Sequence, residues 1–127
     1  MKIEARLAPP NSLLLIMDQS VGEVPESMNG APVAATPSCV AVGTLSEHDG
    51  ETSITISDEK PEPGLGLSIV FEGDLSTPAR NLAVCSVDDL AVINTALSSS
   101  SARVQVWAND SLEPDRIYVF VLSNSTP

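Results

Sequence analysis

A chain of 127 residues with 43% hydrophobic content fits one globular domain, residues 1–127, and is too apolar for a disordered protein. Six Lys and Arg stand against 17 Asp and Glu, a formal net charge of −11, which opposes direct binding to nucleic-acid phosphates and to anionic membrane surfaces. The imbalance is uneven: no Lys or Arg occurs between Leu7 and Glu59, a stretch that holds Asp18, Glu23, Glu26, Glu47, Asp49, Glu51 and Asp58.

At the amino terminus the apolar run is short, residues 13–17, with Pro9 and Pro10 before it and Asp18 after it. Neither a signal peptide nor a membrane span is expected from that pattern. Residues 13–17 are apolar on both faces, as are residues 39–42 and 117–122, so these predict central strands covered on both sides. Between them SVGEVPESMNGAPVAATPS, residues 20–38, has three prolines and no sustained period, and reads as a long surface loop. Cys39 and Cys85 lie in the apolar runs SCVAV and LAVCSV. They read as small buried hydrophobes in a reducing compartment rather than as a disulfide, which places the protein in the cytoplasm.

TLSEHDGETSITIS, residues 44–57, gathers the lone histidine, His48, with Glu47, Asp49 and Glu51. Asp49-Gly50 between two strand-like runs predicts a tight hairpin turn, because Asp and Gly tolerate positive φ. Alternation along a strand sends neighbouring ligands to opposite faces, and the Ca²⁺-loop spacing is not matched, so no metal site is expected. His48 has no nucleophile identifiable by motif, and no catalytic role is expected for it.

Ile54 and Ile56 alternate with Thr and Ser, and Val104 and Val106 with Arg103, Gln105 and Trp107, the period-two pattern of strands with one wet face. In LGLSIVF, residues 65–71, the same period puts Leu65, Leu67, Ile69 and Phe71 on one side. Asp58, Glu59, Glu62, Glu72 and Asp74 surround Pro61, Pro63 and Gly73 as a solvated acidic stretch. SVDDLAVINTALSSSS admits two readings: a short helix capped by Asp88, or a hairpin of residues 82–87 and 90–95, which its β-branched residues favour. Phe71, Tyr118 and Phe120 read as core, with the Tyr118 hydroxyl reaching a polar partner or water. Trp107, ending a strand, reads as a packing residue and is the aromatic best placed to act as a binding hot spot.

The cadence of short strands predicts an all-β, antiparallel sandwich of two sheets with at most one short helix. The order IEARL, LLLIMD, AVGTLSEHDGETSITI, GLSIVFEG, LAVCSVDDLAVINTAL, VQVWAND and DRIYVFVL resembles the small acidic bacterial proteins of the competence protein J (ComJ) type. That resemblance implies a β-sandwich that binds and inhibits a secreted or membrane-associated nuclease, and it carries no catalytic residue over. The expected function is an acidic protein-binding module, an inhibitor or immunity-like partner of a basic protein such as a nuclease, without a cofactor and without enzymatic activity. The expected contacts are Glu47, Asp49, Glu51, Asp58, Glu59, Glu72 and Asp74, with Trp107 as anchor. The alternative is a carbohydrate- or small-ligand-binding accessory protein.

Overall fold

A computed structural model describes residues 2–28, 30–88 and 91–122. Among them run ten strands: β1 (Lys2–Leu7), β2 (Leu13–Met17), β3 (Val33–Thr36), β4 (Cys39–Gly43), β5 (Thr52–Ser57), β6 (Ser68–Ser76), β7 (Asn81–Ser86), β8 (Ala91–Ala96), β9 (Ser101–Ala108) and β10 (Arg116–Leu122). A front sheet has the order β1-β5-β10-β9-β6 and a back sheet the order β3-β4-β2-β7-β8. Every described strand pair is antiparallel except β5 with β10. The one helical stretch among the described residues is a three-residue 3₁₀ turn, Pro10–Ser12, and no helix there is long and apolar enough to cross a membrane.

The runs apolar on both faces take the inner places the sequence predicts: β2 and β10 are central and β4 lies beside β2. Inward-facing Leu14, Ile16, Val40, Val42, Leu82 and Val84 of the back sheet meet Ile54, Ile56, Val104, Val106, Ile117 and Val119 of the front sheet in one core. The other faces of β2, β4 and β7 form a second apolar cluster of Leu15, Met17, Cys39, Ala41, Ala83 and Cys85, against which Met28 of the 18–32 connection packs. At Gly22, in the same connection, an added Cβ would meet the Met17 side chain, whose flexible thioether end would have to move aside. Burial on both faces is why β2 shows no alternation in its sequence.

Three expectations are corrected, and one open alternative is settled in favour of the hairpin. Residues 20–38 are not all loop, since 33–36 form β3 at the edge of the back sheet, paired with β4. The ambiguous segment is the hairpin of β7 and β8, not a helix; Asp89 and Leu90 at its tip lie outside the described residues. Asp49-Gly50 does not close a hairpin, because β4 belongs to the back sheet and β5 to the front. Residues 44–51 instead arch from one sheet to the other, with Gly50 at φ +142°. Finally, a register shift at Val70 aligns Ile69 with Trp107 but Phe71 with Val106. The bulge turns Phe71 inward and leaves Ile69 44% exposed, while Leu65 and Leu67 fall in the preceding loop, so the four do not share a side.

The alternation of β5 and β9 is as expected, yet the outer face they share with β10 is largely dry: Thr55, Ser57, Gln105, Tyr118 and Phe120 are all buried. The reason is the connection from β5 to β6. Residues 58–67 leave β5 at the level of Phe120 and enter β6 at the level of Ala108, so they cross the outer face of β10 and β9. The Tyr118 hydroxyl donates to the Glu59 carbonyl at 2.6 Å and fastens the start of this cover. Tyr118 and Phe120 are therefore buried beneath a loop, not between the sheets.

Candidate functional site: an acidic rim on three stapled loops

At the end of the sandwich where β5 and β10 begin, three connections meet: residues 8–12, 44–51 and 109–115. Main-chain bonds join them, from Thr44 N to Ser12 O at 2.8 Å and Leu45 N to Pro114 O at 2.9 Å, and Ser53 N of β5 donates to Asp115 O at 2.8 Å. Glu47 Oε1 also accepts from Asn11 N at 3.4 Å. In the arch, Asp49 N donates to Ser46 O at 2.9 Å and His48 N to Ser46 Oγ at 3.2 Å, which makes the local turn that the sequence expectation assigned to a hairpin.

The 109–115 loop is organised by its own polar side chains. Asn109 Oδ1 accepts from Asp115 N and Arg116 N, both at 3.1 Å, and Asn109 Nδ2 donates to Asp115 Oδ1 at 2.6 Å. Asp110 Oδ2 accepts from Glu113 N at 2.7 Å and Leu112 N at 3.1 Å. Those two N–H groups, Glu113's foremost, hold the Asp110 carboxyl below its ordinary value and keep it ionised. The result is a rim of six exposed carboxylates, Glu47, Asp49 and Glu51 from the arch and Asp110, Glu113 and Asp115 from the β9–β10 loop. Arg116, at the start of β10, is the exposed cation that borders it.

The expected contact residues are thus split. Asp58 and Glu59 are exposed at the opposite end of β5, which at about 3.3 Å per residue sets them roughly 20 Å from the arch. Glu72 and Asp74 project from the outer face of edge strand β6 and both engage Arg103 of β9, at 3.4 and 3.3 Å, so one cation of the same chain partly offsets their charge. Trp107 is half-buried on the outer face of the front sheet, its Nε1 donating to Gln105 Oε1 at 3.1 Å beside residues 61–67. Asp110, Glu113 and Asp115 were absent from the sequence expectation. Their signal was available: an acidic, Asn-Asp-Ser-initiated segment between the closing strands VQVWA and RIYVFVL has to form the tip of a hairpin.

This fold class has solved neighbours. The crystal structure of ComJ from Bacillus subtilis, an inhibitor of the DNA-degrading activity of NucA, superposes with a TM-score of 0.54 at 11% sequence identity, over 95% of each chain. A protein described as crocagin biosynthetic gene J superposes with a TM-score of 0.52 at 9% identity, over 97% of this chain and 96% of the other. The likeness to ComJ is one of whole-chain layout, without specific motifs. No family model and no curated protein sequence matches the chain.

Proposed function

We propose that this protein is a binding protein of the inhibitor type that acts in the cytoplasm: a rigid acidic rim occupies the cationic surface of a basic protein, such as a nuclease, in place of the polyanion that surface serves. The observation that carries the reading is the convergence of six carboxylates on loops stapled to one another by main-chain hydrogen bonds. Charges held in place before binding lose little side-chain and loop entropy on association, and a net charge of −11 steers the molecule toward a cationic cleft. A fold shared with an inhibitor of a DNA-degrading enzyme is in keeping with it. The rim, rather than Asp58, Glu59, Glu72 or Asp74, is the contact surface.

Affinity capture from the source lysate tests this, with wild-type protein and the Glu47→Lys/Asp49→Lys/Glu51→Lys/Glu113→Lys variant as paired baits. The expected result is a basic protein retained in stoichiometric amount by the wild type at about 0.05 M salt, eluted near 0.5 M, and not retained by the variant. Retention of the same proteins by both baits contradicts the reading.

A further inference from the structure

The cations of this acidic chain are unevenly placed. On the outer face of the front sheet, the register aligns Arg6 with Ser53 and Arg116, Glu4 with Thr55 and Tyr118, and Lys2 with Ser57 and Phe120. Lys2, Arg6 and Arg116, half of the six basic residues, therefore share one patch. Residues 58–67 overhang it on one side, and between overhang and sheet lies a cavity of about 260 Å³ lined by Lys2, Glu4, Ser53, Thr55, Leu65, Leu67, Arg116 and Tyr118. Neither Lys2 nor Arg116 has a carboxylate within ion-pair distance among the described residues. Thr55 is only 7% exposed, and it contributes to the cavity lining.

These features specify a ligand. Two cations without a carboxylate partner among the described residues, beside the Thr55 hydroxyl, call for an anion. Glu4 at the same wall opposes a second negative charge, which favours a monoanion over a phosphate dianion. The Tyr118 ring and the Leu65 and Leu67 side chains supply apolar walls. The volume lies just under the range of ordinary small-molecule sites, so the occupant is small. We propose that the cavity binds a small organic carboxylate with an aromatic or branched aliphatic body, its headgroup held between Lys2 and Arg116 with Thr55 donating to it, and its body against Tyr118 beneath Leu65 and Leu67. The site lies on the outer face of the front sheet and meets the rim only at Ser53 and Arg116; the proposal does not depend on the inhibitor reading.

The test is a titration of the uniformly ¹⁵N-labelled full chain with benzoate, benzyl alcohol and benzylamine in parallel, at constant ionic strength, followed by amide chemical shifts. Benzoate should shift Ser53, Thr55, Leu65, Leu67 and Tyr118 saturably, with half-saturation in the millimolar range that about nine ligand atoms give at ordinary efficiency. Benzyl alcohol should bind at least roughly tenfold more weakly, and benzylamine should give no saturable shift at these residues. Lys2→Gln and Arg116→Gln should each weaken benzoate by several-fold, and together by roughly tenfold or more, one charge-assisted contact being worth about that factor. Glu4→Gln should tighten it, and Arg80→Gln, remote from the cavity, should leave it unchanged. Shifts that do not saturate, that map elsewhere, that benzyl alcohol or benzylamine reproduces, or that survive the double variant overturn the proposal.

Discussion

Asp18 sits where the sequence passes from its most apolar strand into a loop, and it is 1% exposed. A lone buried carboxylate is costly, but Asp18 Oδ1 accepts from Ser20 N at 2.9 Å and Ser20 Oγ at 2.7 Å, and Oδ2 accepts from Ala79 N at 2.8 Å. Burial pushes its pKa up, and the hydrogen bonds from Ser20, Ala79 and Asn81 outweigh it, so the carboxyl ends below its ordinary 3.8. Because the folded-state pKa is the lower one, the ionised carboxylate contributes stability above pH 3.8 that is lost as pH falls through the folded value. Asp18→Asn, which turns a donor toward N–H groups, should cost about 2 kcal/mol at pH 7 in urea unfolding, and the gap to wild type should close below about pH 4. A gap independent of pH would mean that shape rather than charge holds this loop. The thiols follow from register in the same way. Met17 pairs with Cys39 and Leu15 with Cys85, so β2 stands between the cysteines, and two strand spacings of about 4.8 Å exceed the reach of a disulfide. Burial, with Cys85 nearby, pushes the Cys39 thiol up to about 11. Neither cysteine should react with a thiol reagent at pH 8 until the chain is unfolded; rapid labelling of native protein would contradict the packing of the 18–32 connection over them.

At the scale of elements, the most consequential feature is the 58–67 connection, which converts the outer face of the front sheet into a second buried layer. Its conformation relies on Gly64 and Gly66 at φ +91° and +71°, a region that costs an L-residue about 1 kcal/mol or more. Its anchor is the Tyr118 hydroxyl on the Glu59 carbonyl. Tyr118→Phe should lower stability by about 1 kcal/mol and raise acrylamide quenching of Trp107, the sole tryptophan, which the same loop borders. Unchanged quenching would show that the loop is held by its apolar contacts alone. This element also marks where sequence reading stops. Strand positions were legible because apolar runs and the Val104-Val106 alternation report local burial. Alternation distinguishes two faces but does not say what covers the second, so Thr55 and Gln105 read as wet and are dry. Likewise an Asp-Gly pair reports positive φ, not destination: the chain turns at 44–51, yet whether it returns to the same sheet or arches to the other is set by the packing of β5 against β10, contacts more than sixty residues apart in sequence. The bulge at Val70 has no composition signal, and it reverses the face of Phe71.

For the whole molecule, the folded topology sorts a charge imbalance that composition only totals. The arch and the β9–β10 loop, distant in sequence, put six carboxylates at one end, whereas Asp58 and Glu59 go to the other and Glu72 and Asp74 turn to Arg103. The acidic half read from residues 7–59 is therefore not the acidic surface; half of that surface comes from residues 110–115. Trp107 packs half-buried against the 61–67 segment, and Trp107→Ala should lower the melting temperature without changing the rate of partner association. The central claim is that the rim steers and contacts a cationic partner, and its most direct measurement is the association rate of the captured partner by stopped flow, from about 0.05 to 0.5 M salt, where the screening length falls from roughly 14 to about 4 Å. The account predicts that the wild-type rate falls steeply with salt, and that reversal of Glu47, Asp49, Glu51 and Glu113 to Lys slows association at low salt by at least about tenfold, with the melting temperature held. A rate indifferent to salt and to the reversal, with the complex still formed, would contradict it and place the contact on another surface.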